Sequence, residues 1–217
     1  MKGRTHLAIG AAIGVAATIY YQPHQWEQAV FYLPAAAFSA LSADLDGTSM
    51  LSSKLGKASH WLREGALWLG LAAVVASFAV QGFQGMPQTR LFLAGAVLAL
   101  LGLVLKEGAL RNALVSACGA ALLFAGLSAG LNGLMGLGAF VVIAPWLKHR
   151  GLTHTIWAAA AWTAIGAAFE RELHVEGLAV VAGAAYLSHL VADTLTPAGV
   201  KWLSPLSKMT FRSPITF

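Results

Sequence analysis

Residues 186–193 read Tyr-Leu-Ser-His-Leu-Val-Ala-Asp and close the last apolar run of the chain. His189 and Asp193 are four residues apart, so a helix places them one turn apart on the same face. An imidazole and a carboxylate in that arrangement can hold one divalent cation. The alternative is a polar pair that caps a buried helix end. The metal interpretation is favoured because more candidate ligands lie at the ends of other apolar runs: His6, Asp44, Asp46, His149 and His154.

The composition is typical of a membrane protein. Hydrophobic residues make up 58% of the 217 residues and charged residues only 11%, whereas soluble domains carry about 25% charged residues. The length predicts one membrane domain over residues 1–217. The net charge is +5, but runs of Lys or Arg and nucleic-acid motifs are absent. We therefore exclude nucleic acid as a partner and expect the basic residues to set orientation and contact anionic headgroups.

Eight apolar runs predict an all-α, polytopic bundle of about eight membrane helices. The runs contain 15 to 18 residues, short of the roughly 20 that span a bilayer unaided. Flanking basic side chains would have to snorkel, or some runs would be re-entrant. Small residues such as Gly10 and Gly14 would let helices approach closely. The runs cover residues 7–21, 29–43, 66–83, 91–105, 112–128, 131–147, 155–169 and 178–193.

Charge predicts the orientation of these helices. When the runs are threaded alternately through a bilayer, twelve of the 14 Lys and Arg residues fall on the side that holds both termini. The positive-inside rule makes that side cytoplasmic. The same threading places every candidate ligand at the cytoplasmic face. Ionisable groups near the membrane are costly and tend to mark functional sites.

The second apolar run ends in Asp44-Leu45-Asp46-Gly47. Carboxylates two residues apart can bridge or share hard divalent cations, and Gly47 lets the chain turn away. The alternative interpretation is an ordinary turn at a helix end.

Residues 148–155 join the sixth and seventh runs and contain two histidines, His149 and His154. Imidazoles on either side of a turn can converge on a metal, and Arg150 offers a fork of donors to a phosphate or carboxylate. Thr153 or Thr155 could cap the next helix and so fix the direction of His154. The alternative is a basic interfacial loop with two bystander histidines.

Such a set of His and Asp residues fits one to three divalent ions, zinc first, with manganese or magnesium as alternatives. These ions lower the pKa of bound water to about 7 and polarise a phosphoryl or carbonyl oxygen. The sequence contains no nucleophile elbow, Cys/His nucleophile pair or P-loop. Hydrolysis by activated water is therefore the chemistry that the residues favour.

Four motifs in this order resemble the YdjM-type family of bacterial inner-membrane proteins, which are described as metal-dependent hydrolases. That family is thought to be distantly similar to zinc-dependent phospholipase C, an all-helical metallophosphoesterase. The resemblance covers residues 1–63 and 148–212 and implies a multi-pass protein of the bacterial inner membrane. The motifs are Met1 to His6, Asp44 to Asp46 with Ser52 to Gly56, His149 to His154, and Tyr186 to Asp193 with Thr196 to Gly199. The ligand set that it implies is His6, Asp44, Asp46, His149, His154, His189 and Asp193.

The sequence departs from the family pattern in two places. The family often has His directly after the Asp-x-Asp pair, where this chain has Gly47, so one ligand is absent or His60 replaces it. Residues 66–147 also separate motifs that usually lie close together. We predict that this stretch is an insertion of apolar helices beside a metal-bearing core of residues 1–63 and 148–212. It would contribute no ligand and would serve as scaffold, oligomer contact or lipid-access groove.

The function predicted is that of a membrane-bound, phospholipase-like metal-dependent hydrolase, which cleaves a phosphoester of a lipid at the cytoplasmic interface. Arg150 would bind the phosphate, and Asp46 is the second candidate catalytic residue. The partners expected are membrane lipid and a lipid phosphate substrate, with a second copy of the chain as an open alternative. Two other functions stay open at this point: a cation transporter, and a scaffold that needs metal only to fold.

Overall fold

The computed structural model describes residues 2–21 and 26–213, with residues 26–29 and 84 described by their backbone alone. These residues form eight α-helices, short 3-10 turns and one isolated β-bridge between Val200 and Phe211. The all-α prediction is confirmed for this part of the chain. The helices are α1 (Gly3–Tyr21), α2 (Trp26–Ser42), α3 (Ser53–Gln84), α4 (Thr89–Val104), α5 (Glu107–Ala129), α6 (Asn132–Ile143), α7 (Ile156–Leu173) and α8 (Leu178–Thr194).

Each of these helices contains most of one predicted apolar run, because the hydrogen bonds of an α-helix are local to the run. The largest difference is at α3, which begins at Ser53, well before the apolar run that starts at residue 66. The added residues 53–65 include two Lys, two Leu, one Ala, one Arg and one Glu, which favour helix even where the charged ones do not favour lipid. Hydropathy therefore located the helices but not the start of α3.

Two of the described helices are both long and apolar enough to cross a membrane, Ser53–Phe83 and Glu107–Ala129. The apolar helices α4, α6 and α8 are shorter. The 17 residues of α8 extend only about 25 Å, whereas the hydrocarbon core is about 30 Å thick. The prediction of eight membrane-spanning helices is therefore not confirmed.

The chain divides into two compact units, one formed by Met1–Leu51 with Val115–Phe217 and the other by Ser52–Leu114. The second unit starts and ends earlier in the sequence than the insertion predicted at residues 66–147. Within it α3 packs along α4, and the guanidinium Nε of Arg63 donates to the carbonyl of Gly102 at 3.0 Å. We refer to these parts as the first and second units.

Helix α8 is the most buried helix of the first unit and packs against α1, α2 and α7. Helix α1 approaches α2 closely at Gly10, where a Cβ atom would lie 2.6 Å from the Cβ of Ala40. Only glycine permits that approach, as the small-residue spacing predicted. The packing brings the ligand-bearing end of α8 beside the ends of α1 and α2.

Candidate metal centre

All seven residues of the predicted ligand set lie in the first unit, on one of four elements. A 3-10 turn, Ala43–Asp46, follows α2 and carries two of the predicted ligands, Asp44 and Asp46. The loop before α7 carries two histidines, and its 3-10 turn Leu152–His154 ends at one of them. Helix α8 contributes a histidine and an aspartate, and α1 contributes His6. The four elements converge, so residues far apart in the sequence lie together.

Four of these side chains, Asp44, His154, His189 and Asp193, place one ligand atom each within 4.8 Å of the others. Nε2 of His154 lies 3.6 Å from Oδ1 of Asp44 and 3.6 Å from Oδ2 of Asp193. Nε2 of His189 lies 3.5 and 3.8 Å from the same two oxygens. A tetrahedral zinc ion with bonds of about 2.0–2.2 Å separates its ligand atoms by about 3.3–3.6 Å. The spacing of this four-ligand group therefore fits such an ion.

His189 presents a lone pair to the four-ligand group. Its Nδ1 lies 2.7 Å from the backbone carbonyl of Ala40, which can only accept, so Nδ1 carries a proton and the lone pair of the neutral imidazole is on Nε2. The Nε2 atoms of both His189 and His154 are buried and have no hydrogen-bond partner among the described residues. Metal-binding histidines are typically held in this way by their other ring nitrogen.

His154 is oriented by a hydroxyl and a carboxylate behind it. Its Nδ1 lies 3.0 Å from Oγ1 of Thr153 and 3.4 Å from Oδ2 of Asp46. The Thr153 hydroxyl donates to that same carboxylate oxygen, so its own oxygen can accept from Nδ1 of His154. The hydroxyl of Tyr186 also donates to the carbonyl of Thr153 at 2.6 Å. These bonds hold the imidazole with Nε2 toward the four-ligand group.

Asp46 lies behind the four-ligand group and organises the loop at residues 147–155. Its Oδ1 is 2.7 Å from Nδ1 of His149, and its Oδ2 accepts from the backbone N–H of Arg150 at 3.0 Å as well as from Thr153. Burial alone would raise the pKa of Asp46, but its contacts with His154, Thr153 and His149 outweigh burial and hold the pKa below its usual range. Asp46 is thus an anion that holds the loop.

A second group of candidate ligands consists of Asp44, Asp46 and His149, again within 4.8 Å of one another. Here the nitrogen Nδ1 of His149 is already bonded to Asp46, and the His149 side chain is 57% exposed. The His149 ring lies beside Gly47, where a Cβ atom would come within 3.1 Å of Nδ1. Because its donors and acceptors already pair with one another, this group is the weaker of the two candidate metal sites.

His6 contacts two of the ligand residues from behind. Its ring stacks on that of His189 with 3.8 Å between centroids, and its Nε2 lies 3.4 Å from Oδ1 of Asp193. The side chain is buried, but it belongs to neither ligand group. The structure therefore places His6 where it can position Asp193 and His189.

Arg150, predicted to bind a phosphate, contacts a ligand residue. Its Nη2 lies 3.1 Å from Oδ2 of Asp193. Its Nη1 donates to Oγ1 of Thr196 and to the carbonyl of Gly199, both at 3.3 Å. The guanidinium thus joins the end of α8 that carries Asp193 to the turn that follows it.

The charges of the four-ligand group would stabilise a cation in its centre. Burial alone would lower the pKa of His154, but the carboxylates of Asp44 and Asp46 outweigh it and raise the pKa to about 9. Burial would raise the pKa of Asp44, but His154 and His189 outweigh burial and hold it well below its usual range. The same negative charge that holds a proton on His154 would attract a divalent ion.

The remaining candidate, His60, lies in the second unit. Its Nδ1 is 3.0 Å from Oε1 of Glu107, which also accepts from Arg63 at 2.9 Å. Neither His60 nor Glu107 belongs to a ligand group. The hypothesis that His60 replaces a ligand missing at Gly47 gains no support from these contacts.

The sequence named Thr153 or Thr155 as able to fix the direction of His154, but only as a helix cap, and it did not point to Tyr186 or to the carbonyl of Ala40. Thr153 had been a candidate helix cap, but Thr155 caps α7 by accepting from the N–H of Ala158 at 3.3 Å. Thr153 and Tyr186 act on His154, and a backbone carbonyl acts on His189. Of these orienting groups, only Thr153 directly precedes the ligand that it orients, so it alone carried a signal in the sequence.

Comparison with known proteins identifies the family of the chain. The family model described as YdjM inner membrane protein matches residues 1–217, the whole chain. No curated protein and no solved structure matches the chain, so the relationship to zinc-dependent phospholipase C stays a hypothesis. Because the match extends over the full length, this chain belongs to the YdjM inner membrane protein family.

Proposed function

We propose that this protein is a membrane-bound metal-dependent hydrolase that cleaves a phosphoester of a lipid or lipid-like substrate. The observation that carries the proposal is the pair of buried nitrogens, Nε2 of His154 and of His189, without a hydrogen-bond partner in the described chain. They face the carboxylates of Asp44 and Asp193. Buried polar atoms are nearly always satisfied in native proteins, and one divalent ion would satisfy all four groups.

Zinc is the ion that suits these donors best. Two imidazole nitrogens and two carboxylate oxygens at tetrahedral spacing are typical zinc ligands, whereas magnesium and manganese favour octahedral oxygen sites. When bound, such an ion supplies positive charge that polarises a phosphoryl oxygen and activates water near neutral pH.

The chain's own residues would orient ligands and substrate. Thr153 and Asp46 hold His154, so Asp46 would support catalysis from behind the site. The Asp44 side chain is 21% exposed, so a substrate would approach past this carboxylate. The Arg150 fork can hold a phosphate oxygen beside its contact with Asp193. Arg150→Gln is expected to weaken substrate binding more than metal binding.

The candidate ligands lie at or near the ends of helices, and this position supports a lipid substrate. Asp44 follows the end of α2, His154 precedes α7, and Asp193 lies in the last turn of α8. A membrane protein with ligands at helix ends would meet phosphates in the headgroup region. Binding sites of transporters typically lie near the bilayer midplane instead.

The experiment is metal analysis of the purified full-length protein, followed by a screen of phospholipids and isoprenoid phosphates for product release. We expect about one tightly bound ion per chain, and activity that chelation removes and zinc restores. His154→Ala should lose both the ion and activity. His60→Ala, which removes a histidine from the second unit, is the matched control and should keep both. Full metal content and full activity in His154→Ala would contradict the proposal.

A metal-stabilised scaffold is the second candidate, and the burial of the ligands favours it. His154 and His189 are completely buried, and four protein ligands close a tetrahedral shell, as in structural zinc sites. In that case chelation would lower the unfolding temperature, and no substrate in the screen would be cleaved. Hydrolysis that stops on chelation while the protein stays folded would exclude a purely structural role.

A further inference from the structure

The C-terminal segment, residues 195–213, combines exposed apolar side chains with positive charge. Leu206 and Met209 are 79% and 62% exposed, and Leu203 and Phe211 are exposed as well. The segment contains no Asp or Glu. Its basic residues are exposed: Lys201, Lys208 and Arg212.

The segment is held against the end of α8 and the start of α7 by hydrogen bonds. Val200 and Phe211 exchange two backbone hydrogen bonds of 2.9 Å each. The indole of Trp202 donates to Oγ1 of Thr194 at 2.9 Å. The backbone carbonyl of Trp202 accepts from the N–H of Ile156 at 3.0 Å. The exposed apolar side chains therefore belong to a surface with defined backbone contacts on both sides.

Exposed apolar side chains are unfavourable in water, and in a segment that is also basic they are favourable at an anionic bilayer surface. We propose that the C-terminal segment contacts the anionic headgroups of the membrane, with Leu206 and Met209 among the acyl chains. Lys201, Lys208 and Arg212 would pair with lipid phosphates. A second copy of the chain fits less well, because a symmetric contact would bring the same positive charges together.

This contact lies next to the candidate metal centre. Arg150, which contacts Asp193, also donates to Thr196 and Gly199 at the start of the segment. A segment seated on the membrane would therefore place Arg150 close to the headgroup region. The membrane contact does not depend on the proposed hydrolysis and would hold for a scaffold as well.

The test uses the full-length protein in lipid nanodiscs. A dye sensitive to polarity is attached at Leu206→Cys in a Cys118→Ala background, because Cys118 is a free, exposed thiol. We expect a blue shift in discs that contain phosphatidylglycerol and a smaller shift in discs of phosphatidylcholine alone. Replacing Lys201, Lys208 and Arg212 by Gln should reduce the inserted population by about fivefold per residue. Raising the salt to about 1 M should act in the same direction.

Arg171→Gln, which removes a basic residue outside the segment, is the matched control and should leave the spectrum unchanged. A dye spectrum typical of water in both kinds of disc would overturn the proposal. Equal blue shifts with both lipids and in the triple variant would overturn the role of anionic headgroups. A shift seen only in discs that hold two copies of the chain would replace the membrane by a second copy as the partner.

Discussion

The hydroxyl of Thr153 lies between the carboxylate of Asp46 and the imidazole of His154. Thr153→Val keeps the shape of the side chain but removes the group that orients His154. Loss of such an outer contact typically lowers metal affinity about 10- to 100-fold, and we expect a loss in that range. Competition with a chelating dye measures it.

Thr155→Val is the matched control for this substitution. Thr155 caps α7, so its loss should lower the free energy of unfolding by about 1 kcal/mol while metal affinity stays unchanged. Wild-type affinity in Thr153→Val would show that the hydroxyl does not orient the ligand.

Metal affinity should depend on pH through His154. The pKa of this imidazole is raised from 6.5 to about 9, so at neutral pH an incoming ion must displace its proton. Affinity should therefore rise about tenfold per pH unit between about pH 7 and 9 and then level off. Calorimetric titration in two buffers of different ionisation enthalpy counts the released proton. An affinity independent of pH over this range would contradict the assignment.

The raised pKa of His154 has the opposite consequence for the metal-free protein: its stability should fall, not rise, as the pH increases. A group whose pKa is raised by folding stabilises the folded state fully below its unfolded pKa, and this contribution is lost as the pH rises through the folded pKa. The metal-free protein should thus lose stability between pH 6.5 and about 9. Thermal unfolding after chelation measures this trend.

At the scale of elements, the contact of α1 with α2 supports the metal centre through Gly10. Gly10→Val would place side-chain atoms against Ala40, whose carbonyl accepts from His189. We expect a loss of about 1–3 kcal/mol in the free energy of unfolding from overpacking, together with weaker metal binding. Thermal unfolding and dye competition measure the two effects.

Gly65→Ala is the matched control for Gly10→Val. Gly65 lies inside α3 with no atom within 4 Å of an added Cβ, so alanine should stabilise the helix by about 0.5–1 kcal/mol. A stability loss of equal size in both variants would contradict the assigned role of the α1–α2 contact.

At the scale of the whole molecule, the distribution of basic residues predicts that both termini are cytoplasmic. Single cysteines at Thr210 and at Met86, both exposed, test this prediction in a Cys118→Ala background. In intact cells a thiol reagent that cannot cross the membrane should label Met86→Cys and should reach Thr210→Cys only after permeabilisation. The reverse pattern would invert the topology.

The sequence by itself determined the helices and the kind of site. A helix satisfies its own backbone within one apolar run, so eight runs sufficed to predict eight helices in the described chain. Which of these cross a membrane depends on length and on the start of each helix, and α3 begins outside its apolar run. The His and Asp residues indicated a candidate metal site, because few types of side chain bind divalent ions.

Only the tertiary structure decided which atoms meet. Asp44, His154, His189 and Asp193 form one group, while Asp46 and His6 contact those residues from behind. Spacing along a chain specifies neighbours only within an element, as for His189 and Asp193 on α8. Whether a side chain can reach the ion or only orients a ligand depends on differences of an ångström or two in how α1, α2, α7 and α8 pack. Those positions are set only when all four helices have packed together.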